Sequence, residues 1–425
     1  MICPLDGRYQ DKLIELEEYF SEEALNKTRV EVEIVYLIKL VEFLNTGSEL
    51  ELLKVRNLEA WAKNLTNKDL ERVKEIEKKI NHDVKAVEYF IRENLKKLKL
   101  TKLSSWIHWG LTSEDVNNLS YGLIMHRFKN NEWLGIEMRL INKLGEMALR
   151  YKNQVMLGRT HGQIAVPTTV GKELAVFCGR AEFWLKQLKE LKLGGKLNGA
   201  VGNFNAQVKL YPNKDWLGFS QKFVESFGLE PVMATTQVEP SDRLALTLDL
   251  IRGLNNVWLD LAKDCWLYIA LDYFKQKVVK TEVGSSTMPH KVNPIDFENC
   301  EGNLELSNSL LNMMSNKLVV SRMQRDLSDS TVKRNLGVAL GYGFLARKSL
   351  LKGLDKIEPN KKFLEKELEN HPEVLSEVEQ LRRRAQGDEQ GYEKVKKELN
   401  LIKGRADEYV GLAEKITKLT IGRKR

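Results

Sequence analysis

The sequence predicts an all-α protein, an elongated bundle of long helices in a central domain with smaller helical domains at either end. Three observations carry this reading. The 425 residues contain only nine prolines, which leaves the stretches 113–151, 167–193 and 240–274 without an internal proline to break a helix. At about 1.5 Å per residue such helices are roughly 40 to 55 Å long, and they need neighbours of similar length to bury their apolar sides. Finally, there is no internal repeat, and extended character is confined to short segments near 155–160 and 195–210.

In chain order, residues 10–99 read as several helices broken near Gly47 and Leu65. One long helix follows from Ser113 to about Tyr151, a second from Pro167 to Leu193 and a third from Pro240 to about Phe274. In the third, Leu244, Leu248, Ile251, Asn255, Trp258, Ala262, Cys265 and Ile269 recur in steps of four and three, the period of a packed seam. Leu246, Leu250, Leu254, Val257 and Leu261 add apolar flanks, so this helix is expected at the centre of the bundle. Asn255 is the one polar break in the seam. It is expected to meet a polar partner, across a subunit interface, and to fix register there. From about 352 the chain turns to short, highly charged helices. The expected domains are therefore 1–111, 112–351 and 352–425.

Bulk composition narrows the function classes. Hydrophobic content of 42% with 30% charged residues suits a soluble globular protein of two or three domains. No apolar run approaches the roughly 20 residues that span a bilayer, and MICPLDGRYQ is not a basic-then-apolar leader, so a cytoplasmic location without a membrane partner is expected. The four cysteines (Cys3, Cys178, Cys265, Cys300) lie far apart, which suits reduced thiols and offers no metal framework. The net charge of +8 comes from basic residues interleaved with acids, as in ERVKEIEKK, and only the tail IGRKR is an unopposed basic cluster. That pattern describes solvated helix faces rather than a nucleic-acid surface, and it also suits a polyanionic small molecule.

Five segments break the helical texture in ways that bear on chemistry. GSSTMPHKVNP (284–294) holds two prolines, hydroxyls, a histidine and a lysine, where an ordinary connection would be rich in Asp, Asn and Gly. In WGLTSEDVNN (109–118), Thr112 and Ser113 precede two acids at a helix start. Locally this is an N-cap, and the alternative is a carboxylate site made of hydroxyls and free N–H groups. In GRTHGQIAVPTT (158–169), His161 stands beside Gly162, and a structural or a proton-transferring imidazole fits equally. NHDVKAVEYF (81–90) places His82 and Asp83 in a helical pattern; Lys85, Ala86 and Val87 supply no second ligand, so zinc is rejected. SRMQRDLSDSTVKRN (321–335) sets Arg322, Arg325 and Arg334 near Ser328, Ser330 and Thr331, either a charged helix end or a phosphate site. Neither GxxxxGK[ST] nor GxGxxG after a strand occurs. His108, His126 and His371 are read as structural.

GSSTMPHKVNPIDFENCEGN closely resembles the signature loop of the fumarase/aspartase superfamily, and Thr112–Ser113 and Thr160–His161–Gly162 match its two other segments. The MPHK form, NHDVKAVEYF, the DGRY opening (Asp6 to Tyr9) and KLNGAVGNFNA (196–206) resemble the adenylosuccinate lyase family of bacterial type. The resemblance covers roughly residues 1 to 350. It implies the superfamily's helical fold and a cofactor- and metal-free elimination of fumarate from adenylosuccinate and from a succinyl-carboxamide ribotide. It implies Ser285 as general base and His161 as general acid, with Thr112, Ser113, Ser286, Lys291 and Asn293 as carboxylate ligands. Arg8, Tyr9, Arg325, Ser330 and Arg334 are implied at the phosphate end, with His82, Asp83 and Gln237 between. Asn81, Val292, Asn299 and Thr331 complete the implied binding set. A homotetramer with each site built from three chains is implied as well.

Two rival readings are weighed by residues. A sister lyase of the argininosuccinate lyase, aspartase or fumarase type needs no phosphate site, so the Arg325, Ser330, Arg334 set speaks against it. An inactive scaffold is opposed by intact Ser285, His161 and Lys291.

Overall fold

The computed structural model describes residues 2–46, 57–277, 287–288 and 290–422. The fold is all-α, and the chain divides into two compact units, each discontinuous in sequence. The first comprises Met1–Gly135, Gln187–Arg252 and Leu306–Phe344; the second comprises Ile136–Lys186, Gly253–Glu305 and Leu345–Arg425.

The first unit is built on helix α1 (Glu22–Leu44), capped by the Ser21 hydroxyl at its start and closed by Asn45 in the left-handed conformation. Val30, Ile34, Leu37 and Val41 of α1 share a core with Val73 of α2 (Asn67–Ile80) and Val87, Phe90 and Ile91 of α3 (Asp83–Lys97). Asn81 ends α2 in the left-handed conformation, and the imidazole Nδ1 of His82 caps α3 by accepting from the Lys85 N–H at 3.3 Å. The segment read as a continuous helical pattern is thus a joint between two helices.

Helix α4 (Ser113–Phe128) continues through a five-residue π-helical segment, Lys129–Trp133, into α5 (Leu134–Arg150), so the expected 113–151 helix is present with one widened turn. There the buried Lys129 ammonium donates to the Leu188 and Leu191 carbonyls at 3.2 and 2.5 Å and closes the C-terminal end of α6 (Val170–Glu190).

The second long helix differs from expectation at its start. Pro167 lies in a strand, and the helix begins at Val170. Strands β1 (Val155–Thr160) and β2 (Gln163–Thr169) form an antiparallel hairpin whose two-residue turn is His161–Gly162. The extended segment near 195–210 shrinks to Gly194–Gly195, paired in parallel with Glu230–Pro231, and is followed by a short helix, Asn205–Leu210.

Helix α7 (Asp242–Ala270) stops four residues short of Phe274, which belongs to a strand paired with Ile357–Pro359. Its seam is buried from Leu244 to Cys265, while Ile269 is half-buried and Leu246 is exposed. Gly253 lets the ring of Trp184 come so close that a Cβ would sit 2.7 Å from it. Asn255 finds its polar partner inside the chain rather than across a subunit interface. Its Oδ1 accepts from Nη1 of Arg347 at 2.7 Å, on α9 (Leu336–Lys356). Arg347 also binds Glu137, which accepts from the Trp258 indole at 2.8 Å, and all four side chains are fully buried.

Candidate active site

In the first unit, the sequence-predicted residues converge on a charge network. Asp83 accepts from Arg29 at 2.7 Å and from Arg334 at 2.9 Å, and Arg334 also binds Glu22 at 2.8 Å. Burial would push the Asp83 carboxyl up; Arg29, the Val84 N–H and Arg334 together outweigh it and hold the group below the usual range. Arg325 reaches Ser330 at 3.2 Å, Gln237 at 3.4 Å and Glu114 at 3.3 Å. Glu114, one residue beyond Ser113, also pairs with Lys333 at 3.4 Å, and Lys333 binds Asp329 at 3.1 Å. Burial pulls the Lys333 ammonium down, yet Glu114, Asp329 and Glu239 together raise it, so it stays charged. Burial raises the Glu239 carboxyl in turn.

The start of α4 is fixed from the opposite side. Asp115 accepts from the Thr112 N–H at 2.9 Å, from the Asn198 N–H at 3.1 Å and from the Lys196 ammonium at 2.9 Å. Gln237 donates to the Ala200 carbonyl at 3.1 Å. The framework of the first unit thus has three parts: Asp83 with Arg29 and Arg334, Gln237 and Ser330 with Arg325, and Thr112, next to Ser113, with Asp115. Thr331 is exposed on the helix Ser328–Lys333. Arg8 stacks over Tyr9 at 5.9 Å in the N-terminal turns. Through Asp6 and Gln10 those turns border a cavity of about 990 Å³ that Arg334 also lines.

Arg29, Glu114 and Lys196 were missed as framework members. Arg29, in TRVEVEIVY, is one of three charges, with Glu31 and Glu33, that alternate with β-branched residues along a helix buried on nearly every side, and that alternation is the signal in the sequence. Of the histidines read as structural, His108 has φ 57° and its Nδ1 lies 2.5 Å from the buried Glu33 carboxylate.

The second unit holds the other residues. His161 is exposed at the tip of the hairpin, with φ 54°. Lys291 is exposed and Asn293 half-buried just before α8 (Ile295–Leu318), which starts after Pro294. The Val292 carbonyl accepts from Gln276 at 2.8 Å, and Asn299 Oδ1 accepts from Ser349 at 2.7 Å. Ser285 and Ser286 lie outside the described residues.

Comparison with known proteins decides the family. A model described as lyase matches residues 7–305, and one described as adenylosuccinate lyase C-terminal matches 321–425. The adenylosuccinate lyase of Escherichia coli strain K12 is 44% identical over 99% of this chain and 92% of its own length. That of Haemophilus influenzae is 45% identical over the same shares. The Legionella pneumophila strain Corby enzyme is 45% identical over 93% of this chain and 87% of its own. The chain belongs to the adenylosuccinate lyase family. Its kinship runs through the charged C-terminal region, beyond the residue 350 at which the sequence resemblance ended. Two solved structures share the fold. A fumarate lyase from a Mesorhizobium species aligns with TM-score 0.77 at 15% identity, covering 97% of this chain and 98% of that one. A 3-carboxy-cis,cis-muconate lactonizing enzyme from Pseudomonas putida aligns with TM-score 0.76 at 18% identity, covering 96% of each. Among the described residues of this family member, no helix is long and apolar enough to cross a membrane.

Proposed function

We propose that this lyase eliminates fumarate from adenylosuccinate, leaving AMP, and from the succinyl-carboxamide ribotide in the same way. The observation that carries the reading is kinship with adenylosuccinate lyases along 99% of the chain. The Arg325, Ser330, Arg334 and Gln237 group supports it, because a phosphate end is what separates this substrate from those of the sister lyases.

In the proposed reaction Ser285 removes a proton from the succinyl carbon next to a carboxylate, and the negative charge spreads into that carboxylate. The C–N bond then breaks, its electron pair goes to the nitrogen, and His161 protonates the departing amine. A serine acts as a base only if its oxyanion is stabilised, the role assigned to Lys291 and neighbouring N–H groups. Thr112, Ser113, Ser286 and Asn293 bind carboxylates, while Arg8, Tyr9, Arg325, Ser330, Thr331 and Arg334 hold the phosphate. Asn81, His82, Asp83, Gln237, Val292 and Asn299 line the middle. Loop 284–294 serves as a lid that expels water from the base. The working form is a cytoplasmic homotetramer with sites shared between chains.

The test is to incubate the purified protein separately with adenylosuccinate, argininosuccinate and aspartate and to measure fumarate. Release from adenylosuccinate alone is expected. Release only from one of the other two would assign a sister activity.

A further inference from the structure

His161 stands on a slender support. It and Gly162 form the hairpin turn, and both have positive φ, 54° and 75°, as a type I′ turn requires. Glycine accepts this freely, whereas histidine adopts it at some cost. A two-stranded sheet is marginal by itself in water. Here, moreover, the register shifts between Leu157 and Arg159. Leu157 is buried with Leu368, Val374 and Ala406, and Val155 and Ile164 pack against that group. Nothing apolar follows towards the tip, where Arg159, Thr160, His161, Gly162 and Gln163 remain.

Arg159 is what ties that tip down. Its Nη2 meets Glu367 Oε1 at 2.7 Å, its Nε reaches the Tyr273 hydroxyl at 3.2 Å, and its Nη1 faces the Gly162 carbonyl at 3.4 Å. Both anchors are firm. Tyr273 is fully buried and stacks parallel to Tyr268 at 5.8 Å, and Glu367 lies largely buried on the helix Lys361–Asn370. One guanidinium thus connects the residue next to His161 with two fixed points elsewhere in the second unit.

We propose that Arg159 is a positioning residue for His161, with Glu367 and Tyr273 as its anchors, so that the helix Lys361–Asn370 takes part in proton delivery by fixing the turn. The proposal rests on the reading of His161 as the general acid. A misplacement of about 1 Å can cost on the order of 100-fold in rate. Lysine cannot reproduce the planar fork that reaches three acceptors at once.

The experiment measures kcat and KM on adenylosuccinate for Arg159→Met, Arg159→Lys and Glu367→Gln, each alone and combined with His161→Gln. Arg159→Met is expected to lower kcat by roughly 10- to 100-fold and to leave KM within about threefold. The other two should lower it less and in the same direction. In the His161→Gln background none should reduce the residual rate further, because the group they position is gone. If Arg159→Met does not fold, Arg159→Lys and Glu367→Gln carry the test. Folded variants with kcat within about twofold of the parent, or losses that multiply with His161→Gln, overturn the positioning role. Parental turnover in His161→Gln alone overturns the acid reading itself, and the single variant reveals that separately.

Discussion

The candidate residues of the two units are held by opposite means. In the first unit, cations and carboxylates pair with one another in a largely buried web. Lys333 is met by Glu114 and Asp329, Asp83 by Arg29 and Arg334, and Asp115 by Lys196 and three backbone N–H groups. In the second unit His161 and Lys291 are exposed, and His161 depends on one arginine brace. A buried web fixes geometry before any ligand arrives, since breaking one pair strands its partner away from water. An exposed turn keeps its imidazole accessible to exchange protons. The proposed binding residues are thus fixed within the fold of their unit, while the proposed acid is presented on an exposed turn.

Substitutions separate the two sets, and the largest effect belongs to the exposed one. His161→Gln, like Ser285→Ala, should cut turnover by about 10²- to 10⁴-fold. Thermal melting of His161→Gln should stay close to the parent, because the side chain buries nothing. Turnover within about tenfold of the parent would remove the residue from proton transfer. In the web the signs reverse. Lys333→Met should destabilise by about 3–5 kcal/mol in a denaturant titration, as expected when Glu114 and Asp329 lose their buried cation. A loss below about 1 kcal/mol would mean that water reaches those carboxylates.

Arg334→Ala sits between these cases, because its guanidinium is partly exposed and already bound to Glu22 and Asp83. It should weaken AMP binding by roughly 2 to 4 kcal/mol, the loss of a charge-assisted fork on a phosphate. Unchanged affinity by calorimetry would place the phosphate elsewhere.

How much of this was legible in the sequence depended on period and on distance along the chain. The 244–265 seam was readable because a helix packed on several sides must repeat its apolar residues every three to four positions. The start of α6 was not. Pro167 suits a first helical turn as well as an edge strand, and the hairpin before it carries His-Gly where Asn-Gly would have announced a turn. The family was legible in the signature loop and the Thr-His-Gly segment because a short motif carries its residue identities in one contiguous stretch. The web was not, since Glu114 meets Arg325 and Lys333 across more than 200 residues of chain. No spacing rule reports such a pairing.

Asn255 shows a sequence expectation whose sign the structure changes. A lone polar residue in an apolar seam suggests that leucine would keep or raise stability. Because the Asn255 amide accepts from the fully buried Arg347 guanidinium, leucine removes an acceptor that water cannot replace. Asn255→Leu is therefore expected to destabilise by about 1–3 kcal/mol. An equal or higher melting temperature would show that Glu137 and its surroundings suffice for Arg347.

The smallest expected effect is a pH dependence in the first unit. His108 faces Glu33 on α1, with Glu88 of α3 and Asp115 of α4 adding negative potential. Burial pulls the imidazole down, but these carboxylates outweigh it, and its folded-state value lies above the ordinary one of 6.5. A raised folded value means that protonation favours the folded state. The stabilisation is fully present below the unfolded value and is lost as pH rises through the folded one. The stability difference between the parent and His108→Gln should therefore be largest near pH 6 and narrow towards pH 9. It should not vanish, because a neutral imidazole can still donate from Nδ1 to Glu33. Denaturant titrations of both proteins across that range provide the measurement. A difference that grows with pH would mean that desolvation, rather than Glu33, governs this histidine.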